Sequence, residues 1–321
     1  MAPIFTQASR EYFRLYSRTA GLFVAMGAGV LSPGAHVGAY LIPWLVAVML
    51  FLSSLDLPIT PGSFRGSVWR VLAANLAIAF LGFFIFLPVD RNLALVAFLT
   101  GVTPTAVSAP VIIGFLDGRV EYVVASVLIT NLFMAVMLPF ALPLLVGMEA
   151  DISTMGALRS VCLVVLVPLG LSRGVAILPE KARITIGRAK PLSFYLWLVA
   201  LFLVMAKSSH FLQNELRVPA GKLLAIAAIS FVICGVNFGV GALLGGKLYR
   251  REASQALGQK NNSLTIWLAL TFVNPVVALG PTFYVLYHNA YNSLQLFAFE
   301  KKRKRGTYNR NPASGKDTES A

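Results

Sequence analysis

Long stretches of this chain contain no Asp, Glu, Lys or Arg, and nothing else in the sequence constrains its fold as strongly. Val71 to Val89, Asn92 to Leu116, Tyr122 to Met148 and Leu223 to Gly246 are such runs. Each approaches the ~20 residues that a helix needs to cross a ~30 Å hydrocarbon core. Charged residues make up 12% of the chain, where a soluble domain carries about 25%. The pattern predicts an all-α polytopic membrane protein.

Two charge-free runs are too long for one crossing. Thr19 to Leu55 is divided by "SPG" at Ser32 to Gly34, and Asn261 to Phe299 is expected to hinge between Asn274-Pro275 and Gly280-Pro281. Ten transmembrane spans follow, at about 13–31, 37–55, 69–88, 92–116, 120–146, 156–172, 191–207, 220–246, 252–273 and 277–298. The segments between them alternate in charge. Arg10, Arg14, Arg18, Arg65, Arg70, the set from Arg173 to Lys190, Lys247, Arg250, Arg251 and Lys301 to Arg305 fall on one side. The neutral "SPGAHV", the balanced "VDRN" and the acidic "GMEADIS" fall on the other. Lys207 to Lys222 departs mildly from this alternation. Positive residues favour the cytoplasmic side, so both termini are expected inside. No short apolar run with a small-residue cleavage site opens the chain. The expected location is a plasma membrane, the inner membrane in a bacterium.

Ten spans divide into two sets of five, and an odd number per set makes the second set start on the opposite face, as in inverted-repeat transporters. The expected organisation is a cytoplasmic segment 1–12, a first five-helix repeat 13–146, a second inverted repeat 147–299 and a basic cytoplasmic tail 300–321. Corresponding spans share an irregularity. The fourth contains "TGVTPTAVSAP", with Thr103, Pro104, Thr105 and Ser108, and the ninth contains "GQKNNS", Gly258 to Ser263. Proline removes an amide donor and glycine weakens a helix, and in lipid the freed backbone groups must be satisfied by protein or by water. Discontinuous helices 4 and 9 are therefore expected to cross at one polar site near mid-membrane. The plainer alternative is a pair of kinked packing helices.

Lys260 is the sharpest feature of that site. It lies nine residues past Arg251, roughly 13 Å along a helix, and an ammonium at that depth marks a functional site unless it snorkels to the edge. Gln259, Asn261, Asn262 and Ser263 surround it in sequence, and Thr103, Thr105, Ser108 and Asn131 are its expected oxygen partners. Asn261 and Asn262 could instead only join helices. His288 and Asn289, in "YHNAYN" of the tenth span, complete the candidate substrate or coupling set. Gly235, Gly239, Gly241 and Gly245 are expected at close helix contacts.

From Arg251 to Leu296 the chain resembles the end of the bile acid/sodium symporter family. The shared features are "GQKNNSL", an apolar run with "NPVVALGP", and "HN" followed by a serine four residues on. "TPTAVSAPVIIGFLDGRVEYVVASVLITN" is similar to the family's fourth and fifth spans. The resemblance covers about 13–299 by span pattern, with the ninth and tenth spans specific. It implies a panel domain, a core domain with helices 4 and 9 crossing, and carriage of organic anions. In the family an acidic residue, amides and hydroxyls hold sodium. Here the matched positions carry Ala256, Lys260, Ala109, Pro110, Val123 and Val127, and only Asn261 keeps its type. A hard cation needs oxygen ligands, so sodium coupling is not expected. Lys260 could act as a built-in cation, or take up and release a proton.

The expected function is secondary transport of a small, anionic organic solute by alternating access. No phosphate-binding loop supports ATP-driven pumping. Cys162 and Cys234 lie apart, without metal-ligand spacing. No catalytic residue, metal or cofactor is expected, and a membrane enzyme is disfavoured. A ligand-binding sensor or scaffold remains the alternative. The net charge of +14 owes much to "EKKRKRGTYNR" beside the last span, where anionic inner-leaflet lipids, not nucleic acid, are the expected partner.

Overall fold

A computed structural model describes residues 20–21, 23–55, 66–147, 155, 159, 162–214 and 218–304. The segment 1–12, the tail beyond 304 and the beginnings of the spans expected at 13–31 and 156–172 lie outside the described residues. Within them every regular element is helical. Residues 23–31 are followed by a 3-10 segment, Pro33–Leu41, that runs into α1, Ile42–Ser54. Then come α2 (Gly66–Phe86), α3 (Arg91–Val102), α4 (Ala109–Phe115), α5 (Val120–Val146), α6 (Val167–Gly174), α7 (Glu180–Gly187) and α8 (Leu192–Asn214). The last four are α9 (Ala220–Gly245), α10 (Arg250–Gly258), α11 (Asn262–Phe272) and α12 (Pro275–Lys304).

Five helical stretches are long and apolar enough to cross a membrane: Pro33–Leu52, Ser67–Phe86, Val120–Val146, Glu180–His210 and Ala220–Gly245. Arg91–Val102, Cys162–Gly174 and Asn262–Phe272 are shorter apolar helices. Large apolar side chains face outward, among them Phe84 (61% exposed), Leu144 (82%) and Leu243 (78%). So much outward apolar surface is what lipid, not water, accommodates.

Local chemistry sets the breaks. Asp90 is extended and its Oδ1 accepts the Leu93 amide at 3.0 Å, starting α3. Thr103 precedes Pro104, which disfavours helical backbone there, and the chain turns extended. Pro110 sits in the first turn of α4, where its missing N–H costs nothing. Asn274 Oδ1 accepts the Val277 amide at 3.0 Å and opens α12.

The hinge expected to reach Gly280-Pro281 ends at Asn274 instead, because Pro281 lies inside α12. Gly280 packs so closely on α3 that a Cβ there would lie 2.7 Å from Thr100 Oγ1. Its carbonyl accepts the Ser230 hydroxyl at 2.9 Å.

Two groups of helices result. The 33–41 segment, α1, α6 and α8 pack together, and α2 to α5 with α9 to α12 form the larger group. Leu93 to Val102 of α3 are all buried at its centre. Of the four glycines expected at close contacts on α9, Gly241 and Gly245 are pressed against α10, with Ala253 beneath both. Gly235 and Gly239 have nothing within 4 Å of a would-be Cβ.

Candidate functional site

The two breaks meet. Asn261 N donates to Pro104 O and Ala106 N donates to Gln259 O, both at 2.8 Å, making an antiparallel bridge between Thr105 and Lys260. The extended backbone this requires is supported from α5. Thr130 Oγ1 accepts the Thr105 amide at 3.0 Å, and Asn131 Nδ2 donates to Thr105 O at 2.9 Å and to Val127 O at 2.8 Å. Asn261 Nδ2 reaches Asn131 Oδ1 at 3.4 Å.

A helix that stops in an apolar interior leaves carbonyls without partners. Here side chains supply them, most from other segments. Thr103 Oγ1 donates to Leu99 O at 2.7 Å, Asn75 Nδ2 to Val102 O at 3.1 Å and Lys260 Nζ to Gly101 O at 3.0 Å, all at the end of α3. At the end of α10, Thr105 Oγ1 donates to Ala256 O at 2.6 Å and Tyr284 Oη to Gly258 O at 2.7 Å. Asn237 Nδ2 donates in turn to Tyr284 Oη at 3.1 Å. Apart from Thr103, which turns back onto its own helix, each half-helix is thus capped by residues that belong to the other break or to a neighbouring helix.

Lys260 is 3% exposed, and its ammonium also donates to Asn75 Oδ1. Among the described residues no carboxylate pairs with it. Its charge sits instead at the C-terminal end of α3, where the helix dipole is negative. This corrects the partners expected from the sequence. Thr103 and Thr105 spend their hydroxyls on helix carbonyls, Asn131 holds backbone, and Ser108 is exposed and accepts Gln259 Nε2 at 3.2 Å. The four-carbon stem carries the ammonium past them to α2 and α3.

Asn75 is the partner the sequence reading missed. Its signal is present, because it is the sole polar side chain in the run Val71 to Val89. The reading also missed a buried chain of amides. Gln255 Nε2 donates to Asn292 Oδ1 at 2.9 Å and to Gln295 Oε1 at 2.6 Å, and Asn292 Nδ2 donates to Gln259 Oε1. The remaining candidates divide. His288 is buried beside Asn262, with 3.4 Å between His288 Nδ1 and Asn262 Nδ2. Asn289 turns back to Val285 O at 2.7 Å and does not join the crossing. Ser263 is half-buried just beyond it. Gly258 lies under the Phe238 ring, only 2.3 Å from a would-be Cβ. Ala109, Val123, Val127 and Ala256 are buried without a polar side chain. No three His, Cys, Asp or Glu side chains converge among the described residues.

An open cavity of about 530 Å³ lies between the smaller helix group and α11. Tyr40, Trp44, Leu163, Lys207, Trp267 and Thr271 help line it. No local pattern in the sequence marks it, because its walls come from four separated segments.

Neither a protein-family model nor a curated protein matches this chain.

Proposed function

We propose that this protein is a sodium-independent secondary carrier for a small organic anion. On this reading it has ten spans in two inverted five-helix repeats, in the manner of the bile acid/sodium symporter family, and both termini are cytoplasmic. The observation that carries the proposal is the crossing of two interrupted helices with the Lys260 ammonium inside it. Interrupted helices meeting at depth, with backbone groups satisfied by neighbours, are what a membrane carrier uses to expose a polar site to alternate faces. Lys260 takes the place of a coupling cation. It donates to Asn75 Oδ1 and Gly101 O, and a fixed ammonium repels a second cation. The 530 Å³ cavity has the size of a small-solute site and adjoins α11, the half-helix that follows the ninth-span break.

Uptake of labelled organic anions into liposomes containing the purified protein, in sodium and in choline buffer, tests this. Equal uptake in the two buffers, with uptake lost in Lys260→Ala, is the expected result. A steep sodium dependence, or full activity of Lys260→Ala, would overturn the role given to the lysine. Solute binding without uptake would make the protein a sensor.

A further inference from the structure

We propose that the cavity of about 530 Å³ is a membrane-facing site for a single-chain lipid, its hydrocarbon chain inside and its polar head beside Tyr40. The floor of the cavity is buried. Ile42, Val164 and Trp267 line it, and Trp267 is 4% exposed. The edge is not buried. Tyr40, Trp44 and Leu163 also line it, and Trp44 is 67% exposed. Val37, Tyr40, Trp44 and Val48 follow one another at helical spacing and all are exposed. The edge is therefore continuous with the outward apolar face of the stretch Pro33–Leu52, which is long and apolar enough to cross a membrane. The cavity opens sideways, onto the surface that hydrocarbon covers in a bilayer.

What reaches the cavity from that side is hydrocarbon. Apart from Tyr40, Lys207 and Thr271, every lining side chain is apolar or an indole. An apolar cavity holds water poorly, and one left empty forfeits dispersion contacts along its walls. A chain that moves in from the bilayer exchanges one apolar medium for another, so it gains nothing by leaving water. Its gain is in packing, because fixed walls and the flat faces of Trp44 and Trp267 give contacts that mobile lipid tails do not. The volume has room for one hydrocarbon chain and too little for the two of a phospholipid. That selects a single-chain amphiphile, a fatty acid or its like, over the bulk lipid around it. The exposed phenol of Tyr40 offers the head a hydrogen bond where an apolar wall meets a polar end. The inference goes beyond the carrier reading, since it names what fills the cavity whether or not the protein moves it. Its test reads no transport.

The Trp44→Phe, Trp69→Phe, Trp197→Phe protein keeps Trp267 as its one tryptophan. In phosphatidylcholine vesicles, added dibromostearate should quench most of its emission and then saturate, because bromine quenches only at close range. Excess stearate should restore the emission, and benzoate, a ring acid without a chain, should not. Ala47→Phe, which places a ring in the cavity, should abolish the saturable quenching. Quenching that never saturates and survives excess stearate is contact with bulk lipid alone and overturns the proposal. Equal quenching in folded Ala47→Phe, or restoration by benzoate as complete as by stearate, overturns it as well. If the single-tryptophan protein does not fold, photolabelling of the native chain with a diazirine stearate decides. Labelling within 39–47 or 267–271 that excess stearate prevents is expected, and labelling that stearate leaves unchanged refutes the site.

Discussion

Thr105→Val tests whether the two interrupted helices are held together as described. Valine matches threonine in shape and keeps the extended backbone, so the substitution removes little besides the hydroxyl that donates to Ala256 O at 2.6 Å. Thr105 is 2% exposed and Ala256 is 1% exposed, so water cannot replace the lost donor. An unpaired buried carbonyl costs about 1–3 kcal/mol. In a chain of 321 residues this corresponds to a fall in melting temperature of about 1.5–4.5 °C. The Thr105 amide still donates to Thr130 Oγ1, and Asn131 still holds the Thr105 carbonyl. The bridge itself should therefore survive. Thr105→Ser, which restores the donor, serves as the control. The assay is thermal unfolding in detergent followed by tryptophan fluorescence. The reasoning fails if valine melts with the native protein, or if serine falls as far as valine.

Three further outcomes follow from the geometry. Gly258→Ala should cost about 1–3 kcal/mol by overpacking, because the new Cβ would sit 2.3 Å from Phe238, whose ring is stacked on Tyr291; unchanged melting would contradict this contact. Burial pushes the Asp90 carboxyl up, but the Lys222 ammonium at 2.7 Å and the Leu93 amide outweigh it and hold the carboxyl below its ordinary value. A lowered carboxyl stabilises the fold at pH above the ordinary carboxylate range and loses that contribution as pH falls through its lowered value. Lys222→Met should therefore flatten the acid limb of a stability–pH curve, and an unaltered limb would show the pair to be inert. Reporter fusions after Ser153 and after Lys304 should lie on opposite sides of the membrane, with the same side for both ruling out the proposed topology.

The sequence alone determined the helical, membrane-compatible character of this chain and the places where its helices break. Both are local in origin. Charge-free runs of about twenty residues leave helices as the economical backbone solution in lipid. Pro104, Pro110, Gly258 and Asn274 act on the turns in which they sit. Pro281 shows the limit of that logic, because the same local signal gives no break inside α12, where Gly280 packs against α3. The partners of Lys260 were decided only by the tertiary structure. The matched breaks of helices 4 and 9 pointed to Thr103, Thr105, Ser108 and Asn131, yet helix carbonyls compete for hydroxyl donors and win at Thr103 and Thr105. A flexible ammonium goes to whichever oxygens remain, and those belong to Asn75 and Gly101, more than 150 residues away in the chain. The cavity has the same character. Its walls come from segments that meet only when the whole bundle has packed, so no local periodicity or spacing records them.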